Sequence, residues 1–328
     1  MSRFILRRLL FIPIALIVVN FLAFTYAHYA RPKRAERTPY VQAYEAGPLL
    51  PAYKEYVQKI INLDFSMEVN VPGRRTGPIS LEETLTSAIL ASLGLLAVSM
   101  ILSVILGLIF GFSAVRNDPP GVARWMTFFS TVGLAMPSFY IGSLLILIMV
   151  FYVLSRGPGT EMFLPLDGFG WDKHLILPVV ALMARPTVQM AQTTANLLSG
   201  ELSKQYVIAA RSVGYTWRSI RNTYALRNII APVILTIAGL LRFTVGELVI
   251  IEWLFKWPGL GRLLGWTLVP AQLSSTSGSP LFLNPAVMAT VVFLIAALFL
   301  ITDFTAAILV RVFDPRLRIP EGEGAASA

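Results

Sequence analysis

The stretch "LTSAILASLGLLAVSMILSVILGLIFGFSAV", residues 85–115, runs for 31 residues without a charged side chain. A helix crosses the ~30 Å hydrocarbon core of a bilayer with about 20 apolar residues, so this stretch is long enough to span a membrane. Across the chain, 55% of the residues are hydrophobic and 14% are charged, which is typical of an integral membrane protein. The sequence therefore predicts an all-α integral membrane fold.

Apolar runs on both sides of this stretch bring the number of predicted transmembrane helices to six. Their expected bounds are residues 9–28, 85–115, 122–154, 175–198, 229–255 and 285–310. No low-complexity linker divides the chain. We therefore expect a single transmembrane domain over residues 1–328.

Several residues mark the ends and breaks of these helices. The S-x-x-E spacing that begins at Ser80 is typical of a capping box ahead of the second helix. Asn284, followed by proline, is a favourable start for the sixth. Pro137 and Pro186 fall inside predicted helices, where proline removes a backbone hydrogen bond. We expect a kink or a break at each proline.

The first apolar run has two interpretations. Three arginines within residues 1–8 precede it, as in a secretory signal peptide. However, the run is longer than the apolar part of a signal peptide and no clear A-x-A cleavage site follows it, so we expect a retained helix. A cleaved signal would instead leave five spans and put the two ends of the mature chain on opposite sides of the membrane.

Lysine and arginine predict the orientation, because they are enriched in cytoplasmic loops. With the N-terminus inside, the cytoplasmic segments and the adjoining helix ends hold 13 of these residues, and the two later outside loops hold four. Residues 29–84, the predicted extracytoplasmic loop, depart from the rule with eight. We expect both termini in the cytoplasm. These membrane-flanking cations also explain the net charge of +9, so no nucleic-acid partner is expected.

A basic, amphipathic stretch, "QYVIAARSVGYTWRSIRNTYALRN" (residues 205–228), lies on the predicted cytoplasmic side between the fourth and fifth spans. We term it the basic segment. Glycine suits the left-handed position just past a helix end, and threonine caps helix starts. Gly214 and Thr216 therefore predict two short helices that meet at an elbow. Small Ala209 and Ala210, just before the elbow, allow another surface to approach the backbone closely.

At helical spacing the basic segment has two faces. The apolar residues at i, i+4, i+7 and i+11 are Val213, Trp217, Ile220 and Tyr224. The cations on another face are Arg211, Arg218 and Arg221. These residues alone fit two functions equally well: an interfacial helix on anionic lipid, or a docking element for a partner protein.

Three motifs occur in order along the chain: Ile208-Ala209-Ala210-x-x-x-Gly214, WPGLGRLL at 257–264, and DFTAAILVRVFDPRLR at 303–318. They resemble the EAA-x-x-x-G loop and two further motifs of the dipeptide/oligopeptide permease family, the membrane subunits of ABC importers. The likeness is to the B-type subunit and covers nearly the whole chain. Two positions depart from the general loop motif: Ile208 replaces an acid, and Arg227 replaces a proline.

The resemblance implies a type I ABC importer fold in the plasma (inner) membrane of a prokaryote. A second homologous permease subunit, two cytoplasmic ATPase subunits that use ATP and Mg, and an extracytoplasmic solute-binding protein would complete the importer. This chain would bind no cofactor itself. Its solute would be a di- or oligopeptide or, alternatively, a nickel chelate, glutathione or an oligosaccharide. The ATPases would dock on the coupling region, residues 203–223, at Ala209, Ala210, Arg211, Gly214, Trp217, Arg218, Ile220 and Arg221.

Other functional classes lack their motifs in this sequence. No G-x-x-x-x-G-K-[ST] phosphate loop occurs, so ATP hydrolysis by that route is not expected of this chain. An intramembrane enzyme would need a nucleophile with a base or a metal site, but the sequence has no cysteine, no H-E-x-x-H and only two histidines, near span ends. A secondary transporter or channel remains an alternative, although it needs no docking elbow and often shows inverted repeats.

Charged residues inside the spans mark a second place for function, because a charge at bilayer depth usually faces a cavity or a partner. These residues are Arg185, Arg242, Glu247, Glu252 and Asp303. Arg242 and Glu247 are five residues apart, a poor spacing for a pair on one helix, so each needs a partner elsewhere. The family has acids at the positions of Glu252 and Asp303, which we interpret as architectural.

Gln189, Gln192 and Asn196 recur at i, i+3 and i+7 on the fourth helix and form a polar stripe. Lipid disfavours such a stripe, so it is expected to face a polar interior. Hydrogen bonds between helices explain it about as well as a solute path does. The candidate translocation path consists of the polar stripe with Arg242 and Glu247.

Overall fold

The computed structural model describes residues 2–35, 47–62, 64, 68–69, 79–157, 162–269 and 281–313, and these are mainly helical. The helices are α1 (Ser2–Ala35), α2 (Leu49–Ile61), α3 (Leu81–Ser113), α4 (Arg124–Ala135), α5 (Ser138–Arg156), α6 (Ile176–Leu202), α7 (Gln205–Ser212), α8 (Trp217–Ser219), α9 (Leu226–Leu254), α10 (Leu260–Leu268) and α11 (Pro285–Phe313). A 3-10 turn at Lys173–Leu175 precedes α6, and a π-helical segment at Ile220–Ala225 joins α8 to α9. Two short antiparallel hairpins pair β1 (Glu68–Val69) with β2 (Ile79–Ser80), and β3 (Val115–Asn117) with β4 (Pro120–Val122).

Six helical stretches among the described residues are long and apolar enough to cross a membrane, which confirms the predicted number. They are Arg8–Arg34, Leu81–Ser113, Ser138–Arg156, Lys173–Leu202, Trp217–Leu254 and Pro285–Phe313. The closing FDPRLR motif lies outside the described residues beyond position 313.

The two predicted helix starts have the expected cap geometry. The Ser80 hydroxyl accepts a hydrogen bond from the Glu83 N–H at 3.2 Å, ahead of α3. The Asn284 carboxamide oxygen accepts from the N–H groups of Ala286 at 3.1 Å and Val287 at 3.3 Å. Each cap satisfies N–H groups that have no partner inside the first turn of its helix.

The prolines act differently at the two predicted positions. The third predicted span, 122–154, is divided, because α4 ends before Pro137 and α5 begins directly after it. Pro186 instead lies within an uninterrupted α6. One turn earlier, the Met183 carbonyl accepts hydrogen bonds from the hydroxyls of Thr187 at 2.7 Å and Ser103 at 3.2 Å. Both bonds are side-chain contacts with the backbone of α6 close to the proline.

The predicted extracytoplasmic loop, 29–84, contains more regular structure than expected. The first helix continues to Ala35, and α2 and the β1–β2 hairpin follow it. Residues 36–46, 63, 65–67 and 70–78 of this loop lie outside the described residues. The sequence reasoning considered only apolar runs long enough to span a membrane, so it missed the 13-residue α2.

The described structure divides into two compact units by its internal contacts. The first unit comprises Met1–Gly94, Asp167–Phe169 and Glu252–Leu300, and the second comprises Leu95–Leu166, Gly170–Ile251 and Ile301–Ala328. Three of the boundaries fall inside α3, α9 and α11, and the others fall in the loop between α5 and α6.

In the first unit, Asn20 of α1 holds α2 and α11 through a buried polar cluster. Its side-chain amide donates to the Tyr56 hydroxyl at 2.8 Å and to the Ala289 carbonyl at 3.1 Å. The Tyr53 hydroxyl donates to the Asn20 carboxamide oxygen at 3.1 Å, and the hydroxyls of Tyr56 and Thr290 lie 3.2 Å apart. Because these groups satisfy one another, the cluster can be buried without a large desolvation cost.

Glu252 organises the loop before α10, also in the first unit. It is fully buried, and its carboxylate accepts a hydrogen bond from the Gly261 N–H at 2.6 Å. A Cβ on Gly259 would lie 2.2 Å from that carboxyl group, so the loop needs glycine there. The indole N–H of Trp257 donates to the Ala91 carbonyl at 3.0 Å. This geometry agrees with the architectural interpretation of Glu252.

In the second unit, α6 is the central helix, and α3 packs closely against it at two glycines. A Cβ on Gly107 would lie 2.5 Å from the Met190 Cβ, and one on Gly111 would lie 2.8 Å from the Ala191 carbonyl oxygen. This G-x-x-x-G spacing allows two membrane helices to approach backbone to backbone.

Candidate functional site

The basic segment forms the predicted elbow. After α7, Gly214 adopts a φ of +101°, in the left-handed region that glycine favours. The Gly214 N–H donates to the Arg211 carbonyl at 3.0 Å, and the Tyr215 N–H donates to the Ala210 carbonyl at 3.1 Å. This pair of bonds is a Schellman motif, which satisfies the last carbonyl groups of a helix. The chain direction at the elbow is therefore set by backbone hydrogen bonds.

Side chains stabilise both sides of this turn. The Arg211 guanidinium donates to the Tyr215 carbonyl at 2.9 Å and lies 5.0 Å from the centre of the Trp217 ring. As predicted, Thr216 caps α8, since its hydroxyl accepts from the Ser219 N–H at 3.3 Å. Arg211 is thus engaged within the chain.

The exposed apolar residues of the elbow match the predicted face only in part, since Val213 and Tyr224 are exposed but Ile220 is not. Val213 is 77% exposed and Ile208 is 68% exposed, while Ile220 is fully buried and Trp217 is half-buried. The predicted face assumed one continuous helix, but the turn at Gly214 separates Val213 from the three residues that follow. Ile220 therefore positions the segment from inside the chain and is not accessible to a partner in this conformation.

The remaining predicted docking residues have varied environments. Ala209 is exposed and Ala210 is half-buried, which leaves the backbone before the elbow accessible on one side. Arg218 is exposed, and the Arg221 guanidinium donates to the Asn222 carboxamide oxygen at 3.3 Å. The structure thus brings most of the predicted docking residues together around one turn.

An apolar cluster anchors the basic segment to α6 and α9. Its most relevant buried members are Leu198, Leu202, Val207, Ile220, Ala225 and Ile229. The cluster joins α7, the π-helical segment and the beginning of α9 to the last two turns of α6. The elbow therefore projects from a packed base.

Glu201, which the sequence reasoning missed, lies at this base. Only 6% of its surface is exposed. One carboxylate oxygen accepts from the Tyr206 hydroxyl at 3.1 Å and from the Asn228 side-chain amide at 2.7 Å, and the other pairs with the Lys204 ammonium at 2.5 Å. Burial and then the Glu201 carboxylate raise the pKa of Tyr206 to about 12, which keeps its phenol a donor. An acid in the last turn of an apolar helix was the available signal for Glu201.

The charged residues inside the spans have partners on other helices, as expected. Arg185 of α6 and Glu247 of α9 approach to 3.5 Å, and the second oxygen of Glu247 accepts from the Ser138 hydroxyl at the start of α5. The Arg185 guanidinium also lies 4.3 Å from the centre of the Phe243 ring. Both charged groups of this pair are half-buried.

A second ion pair joins α9 to the last helix. The Arg242 guanidinium lies 2.7 Å from the Asp303 carboxylate. This contact explains how both charges are compensated at membrane depth, since an unpaired charge there is costly. It agrees with an architectural role for Asp303. It also reduces the evidence that Arg242 itself contacts solute.

The polar stripe continues the line of Arg185 along α6. With Arg185 as position i, Gln189, Gln192 and Asn196 fall at i+4, i+7 and i+11, which is one helix face. The two glutamines are half-buried and Asn196 is exposed. None of the three amides hydrogen-bonds to another residue in the part of the chain that the structure describes. Helix-to-helix bonding within this part of the chain therefore does not account for the stripe.

Metal chemistry has no support in the described ranges. They contain no group of three or more histidine, cysteine, aspartate or glutamate side chains that could hold a metal ion. The candidate site therefore consists of the exposed elbow, the buried hydrogen bonds at its base and the polar face of α6.

Comparison with known proteins identifies the family. Residues 103–319, more than half of the chain, match the family described as "Binding-protein-dependent transport system inner membrane component". The oligopeptide transport system permease protein AppB of Bacillus subtilis is 28% identical over 87% of this chain and 85% of its own length. The glutathione transport system permease protein GsiC of Salmonella typhimurium is 30% identical over 80% and 86%. The dipeptide transport system permease protein DppB of Lactococcus lactis is 27% identical over 67% and 66%. With its six apolar helices, this chain therefore belongs to the binding-protein-dependent inner membrane components, the multi-pass permease subunits of ABC importers.

Proposed function

We propose that this chain forms one half of a peptide translocation pathway in an ABC importer. A second homologous permease subunit forms the other half, and two separate ATPase subunits, using ATP and Mg, drive transport of solute delivered by a binding protein. The names of the similar proteins support peptides as the solute class, because two refer to oligopeptides and dipeptides and the third to glutathione, itself a short peptide.

The proposed coupling role rests on the elbow of the basic segment, which is exposed and is held in place by hydrogen bonds. Aliphatic Ile208 and Val213 project into the surroundings from a turn that backbone bonds hold rigidly. Exposed apolar groups on a rigid support are suited to a partner's groove. We therefore propose that the ATPase subunits dock at Ala209, Ala210 and Gly214, with Arg218 at the edge of the contact.

The alternative, a helix lying on anionic lipid, fits this geometry less well. Such a helix needs a continuous apolar face opposite a row of cations. Here α7 has only eight residues before the turn, its Val207 is buried within the chain, and Arg211 is engaged by the elbow itself. The part of the basic segment that could lie on lipid is therefore short, and few of its cationic side chains are available to bind anionic headgroups.

The candidate path lies on α6 and α9. Within the described part of the chain, the amides of Gln189, Gln192 and Asn196 leave a polar face of α6 for water, solute or the partner permease, which supports a path at that interface. Glu247 is close to this face through Arg185. We place Arg242 at the edge of the path, because Asp303 already compensates its charge.

The docking proposal is tested with four variants in the complete importer. Gly214→Asp and Ala210→Glu place a charge at the elbow, and the first also puts a Cβ into left-handed backbone at a cost of about 1–2 kcal/mol. Gly200→Asp is a matched control, because that exposed helical glycine has open space around it. Ser219→Ala is a second control on the same segment.

Association is measured by pull-down of the ATPases, and coupling by peptide-stimulated ATP hydrolysis after reconstitution. We expect the two elbow variants to lose association at least about tenfold, equivalent to about 1.4 kcal/mol, while the controls stay near wild type. If the folded elbow variants keep wild-type association and stimulation, the basic segment is a membrane-surface helix and the docking proposal is wrong.

The solute class needs a separate measurement. Stimulation of ATP hydrolysis is compared across di-, tri- and oligopeptides, glutathione, a nickel chelate and an oligosaccharide, each with the cognate binding protein. Stimulation by the nickel chelate or the oligosaccharide alone would replace peptides as the proposed solute without affecting the docking proposal.

A further inference from the structure

One buried carboxylate connects three helices at the base of the elbow. Glu201 belongs to the last turn of α6, and its partners Tyr206 and Asn228 belong to α7 and α9. Both partners donate to the same oxygen, at 3.1 and 2.7 Å. A single acceptor atom thus fixes the distance of α7 and α9 from the end of α6.

We infer that Glu201 is the connection through which a displacement of α7 is passed to α6 and α9. The inference rests on the proposed docking of the ATPases at the basic segment. Glu201 contacts neither nucleotide nor solute, so it is a positioning residue.

The apolar cluster at the same base is a weaker candidate for this task. Apolar contacts are non-directional, so Val207 and Ile220 can be buried over a range of helix positions. Hydrogen bonds depend on distance and angle, and bonds to a carboxylate are stronger than those between neutral groups. Burial increases the free-energy cost of breaking these bonds, because a buried polar group that loses its partner is neither hydrogen-bonded nor solvated. Moving α7 alone would therefore break bonds that moving the three helices together preserves.

Glu201 links α6 and α9, the two helices that contain the residues of the candidate path. Arg185 and the polar stripe lie on α6, and Glu247 lies on α9. A movement imposed on α7 would therefore reach both path-forming helices from one point. The apolar cluster keeps the helices packed, and Glu201 fixes their register.

The test separates docking from transmission. Glu201→Ala removes the acceptor, whereas Glu201→Gln keeps a carbonyl oxygen for Tyr206 and Asn228. Tyr206→Phe and Asn228→Ala each remove one donor, and Ser203→Ala is an exposed control in the same turn. Two quantities are measured in the reconstituted importer: association of the ATPases, and peptide transported per ATP hydrolysed.

We expect Glu201→Ala to lower transport per ATP about tenfold, within the usual range of coupling between sites, with association within about twofold of wild type. Glu201→Gln should restore most of the coupling. The double variant of Tyr206→Phe with Asn228→Ala should resemble Glu201→Ala, and its effect should differ from the sum of the single effects because both donors share one acceptor.

The two proposals fail in different ways. If Gly214→Asp abolishes association while Glu201→Ala transports normally per ATP, docking stands and the connection is refuted. If Gly214→Asp leaves association intact, the docking proposal fails whatever Glu201 does. Should Glu201→Ala not fold, the donor variants decide, and wild-type transport per ATP in both single variants and the double variant overturns the inference.

Discussion

Replacing Gly111 by alanine should weaken the packing of α3 on α6. The new Cβ would lie 2.7 Å from the Thr194 Cβ and 2.8 Å from the Ala191 carbonyl oxygen. Ordinary contact begins at 3.4 Å and the nearest of these atoms is at 2.7 Å, so the helices must separate locally by about 0.7 Å. Neither neighbour can turn away, because one is backbone and the other is the first atom of a β-branched side chain.

The expected loss follows from two opposing terms. Overpacking a close-packed interior lowers the free energy of unfolding by about 1–3 kcal/mol. The higher helix propensity of alanine raises it by up to about 1 kcal/mol. Gly111→Ala should therefore lower the free energy of unfolding by about 1–2 kcal/mol. Gly246→Ala on α9 is the control, since a Cβ added there would have nothing within 4 Å and only the propensity gain remains.

The assay is equilibrium unfolding of the purified chain in mixed micelles titrated with SDS, followed by circular dichroism. We expect Gly111→Ala to shift the midpoint to lower SDS and Gly246→Ala to leave it unchanged or raise it. Equal shifts in the two variants, or a stabilised Gly111→Ala, would show that α3 and α6 are not in backbone contact.

The other predictions concern caps, ion pairs, pH and topology. Asn284→Ala should lower the free energy of unfolding by about 0.5–2 kcal/mol in the same assay, because two N–H groups of α11 lose their acceptor; no loss would exclude a functional cap. A double-mutant cycle of Arg185→Gln and Glu247→Gln should give a coupling energy of about 0.5–3 kcal/mol, and zero coupling would exclude the ion pair. The pKa of Tyr206 is raised to about 12 from an ordinary 10, so its contribution to stability is complete below pH 10 and falls between pH 10 and 12, because the unfolded chain loses the proton first. Unfolding measured across that range should show a fall that Tyr206→Phe removes, and identical pH profiles would contradict the assignment. A reporter fused at Lys54 should face the outside and one at the C-terminus the cytoplasm, and the reverse result would overturn the proposed orientation.

The membrane fold is predictable from sequence because span length and polarity are local properties. A run such as 85–115 needs no knowledge of its neighbours to be identified as a transmembrane helix. The bounds are less predictable, since helices continue past the apolar core when their backbone bonds remain favourable. Thus α1 extends to Ala35, and Pro137 divides a run that hydropathy alone joins.

The candidate site was predictable only where its signals are local. Gly214 and Thr216 predicted the elbow because a left-handed turn and a helix cap each depend on a few consecutive residues. The burial of Ile220 and the role of Glu201 depend on contacts with other helices. Asn228 is 27 residues away from Glu201, and no spacing rule for a single helix connects them.

The π-helical segment Ile220–Ala225 lies between the elbow and α9 and sets how far the elbow is rotated about the axis of α9. Each hydrogen bond in a π-helix closes over one residue more than in an α-helix, and one residue corresponds to about 100° of rotation. The wide turn of the π-helix absorbs that extra residue, so deleting one residue there would let the segment relax into a regular α-helix without a large rotation of the elbow about the helix axis. A one-residue change of length within this segment is therefore expected to preserve the direction in which the elbow points, whereas the same change inside a regular α-helix would turn it by about 100°.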